Sequence, residues 1–562
     1  MPILTGYGGV ENPNWVVFHS FEPGVASFGL DGVITALGLH LFGPDFIGRT
    51  QDAAQRCELI LQVLREHRLL WIWDNFESVR ELPGPTGATP ALDAAEQQRM
   101  RDFLHAVARD GQSGVILTSR TPEDWLGDVR RLELGGLTTG EAAEMAEDVL
   151  RPYPTGRTRR NERAFAELME WLGGHPLSLR LLLPQLERMS AGDLLAVLKG
   201  NTRTLPAGFV GEGRLASLGA SLKYSLDHVV PDERERALAL ALFEGVVDED
   251  VLASFAEADG VPARFAQVTK DVWSALLKRL TGIGVLTELG GGMYGLHPAL
   301  PAYLMAEWRQ LTGEGFVAEH VAAEHALLAA YAMFGDWLLR QIRSGAAETA
   351  FALLDRQRRT MGRLLGLALT QRRYREAQAL MEPLNEFWDV RGLRQEAHGW
   401  VDRCRAALED KKSTPPDLAG EVGAFWLFAT GREAKRALKA GELDLAHRTY
   451  DAIRQKLEIS DGPDQQPRLA VIYHNLGAVA QDRGDLATAE QWSRKALEIF
   501  EALGDRPSLA SSYHQLGMVA QDRGDLAAAE QWSRKALEIF EALGNRPGLA
   551  RSYSKRKTKC QI

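Results

Sequence analysis

Apolar runs that stop abruptly at polar residues mark the first part of this chain. The clearest run is residues 69–73 (LLWIW), which is followed at once by Asp74 and, three positions later, by Glu77. A short, wholly apolar run bounded by polar residues predicts a strand buried on both faces, as in a parallel sheet. Acids at the carboxyl end of such a strand stand where open α/β sheets bind ligands. Alternatively, they are solvated residues at the start of a loop.

Two kinds of segment alternate along the first 150 residues. Apolar runs predict strands at 15–18, 69–73, 114–118 and 131–134. Helical spacing of the apolar positions predicts helices at 50–68, 93–109 and 138–150. Strands that alternate with helices indicate a parallel sheet with crossover connections, so this part is predicted to be an α/β unit.

The spacing becomes helical after residue 150. Between 160 and 200, Gly174 and Pro176 stand at a break where one helix stops and the next starts. Taken alone, this break indicates only a corner between two helices. Residues 214–310 combine several helical segments with a hairpin at 284–297 that turns on glycines. This combination predicts a winged helix.

Beyond residue 315 the pattern is almost continuously helical and includes two near copies. Residues 471–510 and 511–550 agree at about 33 of 40 positions. A fixed period predicts stacked helix pairs, although tetratricopeptide repeats usually run about 34 residues, so each unit here is longer by roughly six. A third copy begins near residue 550 and gives way to a basic tail at 554–562, which we interpret as an early end of the chain.

Composition and charge argue against a nucleic-acid-binding, membrane-spanning or secreted protein. Of the 562 residues, 45% are apolar and 25% charged, and the net charge of −10 gives no basic footprint for nucleic acid. No apolar run approaches the roughly 18 residues of a membrane helix, and no secretory signal is visible. The three cysteines are far apart and fit a reducing compartment. We therefore expect a cytoplasmic protein with no membrane partner and no nucleic-acid partner.

Glycines near the N-terminus raise the question of a phosphate-binding loop. Such a loop needs the pattern G-x-x-x-x-G-K-[ST], so that backbone N–H groups, a lysine and a hydroxyl meet phosphate and Mg²⁺. Here Glu11, Asn12 and Pro13 stand where glycine, lysine and threonine are needed. The loop is therefore predicted to be absent.

Taken together, the motifs resemble those of the STAND class of NTPases, the NB-ARC-like signalling ATPases with repeat sensors. Asp74 and Glu77 are similar to the Walker B region of that class. A strand that ends in Thr-Ser-Arg resembles the one whose arginine, here Arg120, senses the γ-phosphate. Gly174 and Pro176 are similar to the G-L-P-L motif, with a histidine in place of its leucine.

The resemblance also implies roles for these residues. His297, in a Leu-His-Pro sequence, is similar to the winged-helix histidine that reads a nucleotide diphosphate, although a packing role for it stays open. ADP or ATP with Mg²⁺ is the implied cofactor, and its binding residues would be Arg120, Gly174, Pro176 and His297. Asp74 and Glu77 would form the catalytic pair, with Asp74 as a Mg²⁺ ligand only if nucleotide binds.

The predicted fold is multidomain and mainly α-helical. We expect an incomplete NB-ARC-like α/β core of the P-loop type, a helical subdomain, a winged helix, an α-solenoid of tetratricopeptide repeats and a basic tail. Their predicted bounds, in this order, are 1–150, 151–212, 213–312, 313–553 and 554–562.

Three functional hypotheses follow from this reading. The first is a signalling or regulatory protein in which a nucleotide-switch module is coupled to a protein-binding tetratricopeptide sensor. The second is a non-catalytic tetratricopeptide scaffold. The third is a winged-helix transcription regulator, against which the net charge argues. We favour the first and expect no hydrolysis by this chain, because the Walker A lysine and threonine have no match.

The repeats are predicted to hold the partner-binding surface, because the first helices of tetratricopeptide pairs line a concave face. Polar and aromatic residues recur on these helices at a fixed pitch. They are Tyr473, His474 and Asn475 in one copy and Tyr513, His514 and Gln515 in the next. We expect them to contact a protein or peptide ligand, with self-association as a further option. Alternatively, duplication copied a solvated face that binds nothing.

Overall fold

The computed structural model is mainly helical and covers most of the chain. It describes residues 15–21, 29–43, 46, 52–80, 92–119, 122–127, 129–132, 135–202, 205–206, 214–297, 299–410, 414–418, 420–459 and 465–542. The predicted phosphate-loop segment, Arg120 and the basic tail lie outside these residues. Among the helices that are described, none is long and apolar enough to cross a membrane.

Three parallel strands form a sheet in the first part of the described chain. They pair in the order β1 (Val16–Ser20), β2 (Leu70–Asp74) and β3 (Gly114–Leu117). The helices between them are α1 (Leu30–Phe42), α2 (Ala53–Glu66) and α3 (Ala94–Asp110). This arrangement confirms the predicted alternation of strands with crossover helices.

The described residues cover only one face of this sheet. Trp71 and Trp73 are fully buried in a hydrophobic cluster with side chains of α1, α2 and α3. On the opposite face the strand register aligns Phe18, Ile72 and Ile116 side by side. Phe18 is 52% exposed and Ile116 is 46% exposed. The prediction that this run is buried on both faces is therefore wrong, because all three helices pack on the same side.

The fourth predicted strand, at 131–134, is only partly within the described residues, and no strand is present in that part. Residues 131 and 132 are irregular, and 133 and 134 lie outside the described part. The guanidinium of Arg131 donates to the carbonyl oxygens of Pro122 (2.9 Å) and Gly127 (3.1 Å). These bonds join Arg131 to the preceding loop, and the strand predicted at 131–134 stays a prediction because half of it lies outside the described residues.

A second hydrophobic cluster starts within α4 (Thr139–Leu150) and extends as far as Phe500. The helices that follow α4 are α5 (Pro154–Arg159), α6 (Arg163–Leu172), α7 (Pro176–Leu182) and α8 (Ala191–Asn201). Ala146 and Leu150 are fully buried in this second cluster. Helix α4 thus packs with the helices after it, whereas the boundary predicted at residue 150 assigns it to the α/β core.

A mixed unit follows, and it contains the predicted hairpin. Its elements are α9 (Arg214–Asp227), α10 (Pro231–Ala237), β4 (Val246–Asp248), α11 (Glu249–Glu257), α12 (Lys270–Gly282), β5 (Leu286–Gly290), β6 (Met293–Leu296) and α13 (Ala299–Thr312). The strands form an antiparallel sheet in the order β4-β6-β5. Gly291 and Gly292 turn the hairpin with φ of 64° and 77°, a region that glycine adopts without steric cost. The hairpin is therefore confirmed, while the winged helix as a class stays a prediction.

Ten further helices form an array through the rest of the described chain. They are α14 (Phe316–Arg343), α15 (Ala347–Thr370), α16 (Tyr374–Arg391), α17 (Arg394–Leu408), α18 (Gly420–Lys439), α19 (Leu443–Glu458), α20 (Gln465–Asp482), α21 (Leu486–Leu503), α22 (Arg506–Asp522) and α23 (Leu526–Ala542). The two near copies correspond to the pairs α20–α21 and α22–α23. This confirms the predicted mainly helical fold with a C-terminal repeat region.

The near copies pack through small residues and repeated polar contacts. A Cβ atom on Gly477 would lie 2.8 Å from Ser493 Oγ, so the first helix and the second helix approach closely only with glycine there. Arg483 donates to the carbonyl oxygen of Leu443 in the preceding pair (3.1 Å), and Arg523 donates to that of Leu486, the equivalent residue one pair later (2.9 Å). The period of the sequence is thus also a period of contacts.

Candidate functional site

The carboxyl end of β2 places Asp74 at the edge of the sheet. Asn75 adopts a left-handed conformation (φ 55°), which turns the chain away from the strand. The hydroxyl of Thr118 donates to Asp74 Oδ1 and accepts the backbone N–H of Asn75 (3.2 Å). The backbone of Phe76 donates to the carbonyl oxygen of Thr118 (2.9 Å). The ends of β2 and β3 are therefore joined by hydrogen bonds, one of which is accepted by the carboxylate of Asp74.

Glu77 lies in a short 3₁₀ helix, Phe76–Val79, and is only 2% exposed. A residue that polarises an attacking water must be reachable by that water. The fold buries Glu77 instead of presenting it at the ligand edge, and its predicted catalytic role stays a prediction. Arg120, the predicted sensor arginine, lies outside the described residues, and its role stays a prediction.

A second buried carboxylate at this edge, that of Glu123, was missed in the sequence. Its oxygens accept hydrogen bonds from the hydroxyl of Ser119 (2.7 Å) and from the indole N–H of Trp125 (2.6 Å). The guanidinium of Arg80 lies 3.9 Å away. No spacing or motif distinguishes Glu123 from an ordinary loop acid, and its partners become visible only when β3 and the following loop are folded.

The residues described at this edge do not fit a nucleoside triphosphate. Phosphate needs cationic side chains and free backbone N–H donors. The first lysine in the whole chain is Lys199, far beyond the sheet. Asp74 and Glu123 instead place two carboxylates at the strand ends. The edge can hold a cation through Asp74, but it offers a phosphate chain little positive charge.

The structure brings the other predicted nucleotide residues into one neighbourhood. Gly174 and Pro176 flank His175, which caps the start of α7. Burial lowers the pKa of His297, and the charge of nearby His175 lowers it further. The Nδ1 atom of His297 accepts the backbone N–H of Ala299 (3.2 Å), so the proton of the neutral ring is on Nε2. His175, which the sequence showed only as a departure from a motif, is thus a neighbour of His297.

The repeat tyrosines do not lie on an open face. Tyr473 stacks on Trp492 of its own pair at 5.2 Å between ring centroids, and its hydroxyl donates to Glu458 (2.8 Å). Tyr513 stacks on Trp532 at 5.6 Å in the same manner. The tyrosine rings pack between the first and second helices of a pair, and the predicted contact of Tyr473 and Tyr513 with a partner stays a prediction.

Gln515 is also a packing residue. It is 5% exposed, and its amide donates to the backbone carbonyl of His474 (3.2 Å) in the preceding pair. Burial, and then the charge of His514, lower the pKa of His474 to about 4. The side chain of Gln515 thus joins two neighbouring pairs, and its predicted partner role stays a prediction. Asn475, His474 and His514 are half-buried, and their predicted roles stay open.

The open polar positions lie towards the ends of the first helices. Asp482 and Asp522 are exposed, and Gln481 and Gln521 are half-buried. The amide of Gln481 donates to Asp522 Oδ2 of the next pair (2.7 Å). Burial raises the pKa of Asp482, and the charge of Asp522 raises it further. The array therefore presents a row of amide and carboxylate groups at the ends of its first helices.

Comparison with known proteins identifies the C-terminal region. Residues 468–554 match the tetratricopeptide repeat family. No curated protein sequence matches the chain. The predicted tetratricopeptide repeats are thereby confirmed for the two clear copies.

Two solved structures are among those that the structural comparison matches to this chain. One is the crystal structure of the Signal Transduction ATPase with Numerous Domains (STAND) protein with a tetratricopeptide repeat sensor, PH0952, from Pyrococcus horikoshii. It is 16% identical, with 97% of this chain and 75% of that chain covered and a TM-score of 0.43. The other is BtubC (BKLC) from P. vanneervenii, 18% identical, with coverages of 43% and 88% and a TM-score of 0.27. The tetratricopeptide assignment rests on the family match and on the helix pairs themselves.

Proposed function

We propose that this chain is a STAND-type regulatory protein whose tetratricopeptide array binds a protein or peptide partner. The observation that supports this most directly is the pair of near-identical helix pairs, which present the same polar groups at a fixed pitch. Such a surface suits an extended ligand that meets equivalent groups at equivalent spacing. The resemblance of the N-terminal motifs to STAND NTPases adds a nucleotide-responsive core to the proposal.

The proposed binding face consists of Asn475, Gln481, Asp482, Gln521 and Asp522. These residues lie on α20 and α22, the first helices of the two pairs. Their amides can donate to and accept from a ligand backbone. A lysine or arginine of the ligand would relieve the repulsion between the two aspartates, so we propose a ligand that contains a basic residue.

The nucleotide-responsive part is proposed at Gly174, Pro176 and His297. The neutral imidazole of His297 can donate one hydrogen bond from Nε2 to an oxygen of a diphosphate. One neutral hydrogen bond contributes only about 0.5–1.5 kcal/mol, so we expect weak ADP binding. We propose that the chain does not hydrolyse ATP, since Glu77 is buried and no lysine precedes Lys199. Asp74 would hold Mg²⁺ only together with bound nucleotide.

The binding face can be tested with a random-peptide library displayed on phage and panned on the full chain. Peptides selected on the unchanged protein should lose at least tenfold in affinity for the double variant Asn475→Arg with Gln521→Arg. The matched control is Gln491→Arg with Gln531→Arg, which adds the same charge at exposed positions of the second helices. Equal affinity for both variants, with unchanged circular dichroism, would exclude the proposed face.

A non-catalytic tetratricopeptide scaffold is the second candidate. The observation in its favour is the sheet edge, whose described residues do not fit a triphosphate. The same selected peptides distinguish the two candidates. ADP is added at 1 mM, which is about the Kd of a −4 kcal/mol interaction. If ADP changes the peptide affinity of the unchanged chain but not that of His297→Ala, the nucleotide-responsive core is supported. If ADP changes nothing, the scaffold is the better description.

A further inference from the structure

A cavity of about 190 Å³ lies between the α/β core and the helical array. Helices α1 and α2 contribute Asp31 and Arg56 to its wall, and the array contributes His398, Glu433 and Arg436. None of these residues belongs to the sheet edge, to the His175–His297 neighbourhood or to the peptide face. The cavity is therefore a separate feature at the junction of the two main parts of the molecule.

Two side chains of this junction are spaced as metal ligands. His398 and Asp402 are one helical turn apart on α17, so both point from the same face. The distance between His398 Nε2 and Asp402 Oδ2 is 3.4 Å. Two ligand atoms about 2.0–2.2 Å from a tetrahedral Zn²⁺ lie roughly 3.4 Å from each other.

The other imidazole nitrogen is already held by a buried carboxylate. His398 Nδ1 lies 2.6 Å from Glu433 Oε1, and Glu433 is only 4% exposed. In metal sites a carboxylate bound to the second ring nitrogen fixes the tautomer and raises the basicity of the ligand nitrogen. With its proton on Nδ1, His398 presents the lone pair of Nε2 beside Asp402.

One carboxylate oxygen of Glu433 has its hydrogen-bonding capacity unmet among the described residues. Its Oε2 atom is buried and has no hydrogen-bond partner in the described part of the chain. Arg436, one turn along α18, donates instead to Asn385 (2.7 Å) and to Asp389 (3.3 Å). A buried carboxylate oxygen without a partner is unfavourable. Positive charge on the imidazole or on a cation bound to it would compensate this cost.

We propose that His398 Nε2 and Asp402 Oδ2 bind a divalent transition-metal ion of the Zn²⁺ type, and that Glu433 positions the imidazole from behind. Imidazole nitrogen with carboxylate oxygen is a ligand set that suits Zn²⁺. Water molecules complete the coordination, because His398 and Asp402 are both more than half exposed. The ion would lie on the array side of the cavity between core and array.

The test is a calorimetric titration of the metal-free full chain with Zn²⁺ at pH 7.5, in a Cys560→Ser background that removes the tail thiol. We expect one saturable site. His398→Ala and Asp402→Asn should each weaken it at least tenfold, and Glu433→Gln by about 10–100-fold, as for other outer carboxylates. The control is His447→Ala, a half-buried histidine on the neighbouring α19. The Zn²⁺ affinity of His447→Ala should match that of the Cys560→Ser background protein.

Two results would overturn the proposal. Absence of saturable binding would mean that the three side chains form an ion-paired triad around a protonated His398 and nothing more. Binding that persists in both His398→Ala and Asp402→Asn would place the ion elsewhere. If either variant unfolds by circular dichroism, the other decides, and a Co²⁺ absorption spectrum without a thiolate band excludes the remaining cysteines as ligands.

Discussion

The α/β core and the tetratricopeptide pairs differ in how their polar contacts are distributed. In the repeats a contact made once is made again one period later, as the bonds of Arg483 and Arg523 to a leucine carbonyl show. At the sheet edge the bonds of Asp74 and Glu123 have no such counterpart. Loss of one contact in the repeats therefore leaves a copy in place, whereas loss of one at the sheet edge has no substitute.

The α/β core has a hydrophobic cluster of its own, from Val17 to Leu126. The repeats belong to a larger cluster from Ala142 to Phe500 and to two small clusters within the clear copies. Clusters that share no buried side chain can lose their packing one at a time. The comparison can therefore be tested by breaking each region alone and asking whether the other keeps its stability.

The largest effect is expected from Trp73→Ala in the α/β core. Trp73 is fully buried and packs against Phe21 and Phe76. Removing a buried aromatic side chain costs about 3–5 kcal/mol. Calorimetric unfolding should show an early transition of the core, while the transition of the repeats stays in place.

Phe18→Ala is the matched control for this experiment, because Phe18 is on the neighbouring strand but on the open face. It should cost less than about 1 kcal/mol. If Trp73→Ala shifts one single transition of the whole molecule, the two regions are coupled and the comparison fails.

A smaller effect is expected from acid, and it should act on both regions. Burial lowers the pKa of His19 and of His474 from 6.5 to about 4, aided by the charges of Arg358 and His514, respectively. The folded state therefore favours the neutral imidazoles, so their contribution is complete above about pH 6.5 and is lost as the pH falls towards 4. The upper limit is about 3 kcal/mol for each histidine.

Melting temperatures between pH 7 and 4 can assign this loss to each region. His19→Gln should flatten the pH dependence of the core transition, and His474→Gln that of the repeat transition. The reverse assignment, or an unchanged slope in both variants, would show that other groups control the acid sensitivity.

The smallest effect is expected from alanine at matched glycines of the two copies. A Cβ on Gly477 would lie 2.8 Å from Ser493 Oγ and 3.2 Å from Gln515 Nε2. On Gly517 its nearest contact would be Ser533 Oγ at 3.1 Å. Crowding costs about 1–3 kcal/mol, and alanine gains about 0.5–1 kcal/mol in a helix.

We therefore expect Gly477→Ala to lose about 1 kcal/mol and Gly517→Ala to be nearly neutral. The urea midpoint of the repeat transition measures both values. Gln515 lies near Gly477, and the nearest atoms at Gly517 include no such glutamine. Equal losses of stability in both variants would mean that Gln515 does not limit the space at Gly477.

Local spacing was enough to predict the helices, the hairpin β5–β6 and the repeat pairs, because each depends on residues close in sequence. The burial of β2 was not predictable in the same way. Whether helices cover one face of the sheet or both depends on the side to which each crossover passes. The apolar run 69–73 is compatible with either arrangement.

The candidate sites show the same limit. Asn475 and Gln515 occupy equivalent positions in the two copies, yet Gln515 is buried and Asn475 is half-buried, because their preceding neighbours differ. Glu433 reaches His398 across 35 positions of sequence. Neither relation follows from a motif, since both depend on how complete helices pack.

The contacts between the two clear copies have a further consequence for the size of the ligand. Gln481 with Asp522, and Arg523 with Glu490, use residue types that both copies contain at the same places. Another copy of residues 511–550, inserted after Ala510, would therefore meet a matching partner on either side. The array can be lengthened in whole units without any new kind of contact. The length of the proposed extended ligand that the array can contact would then be set by the number of copies.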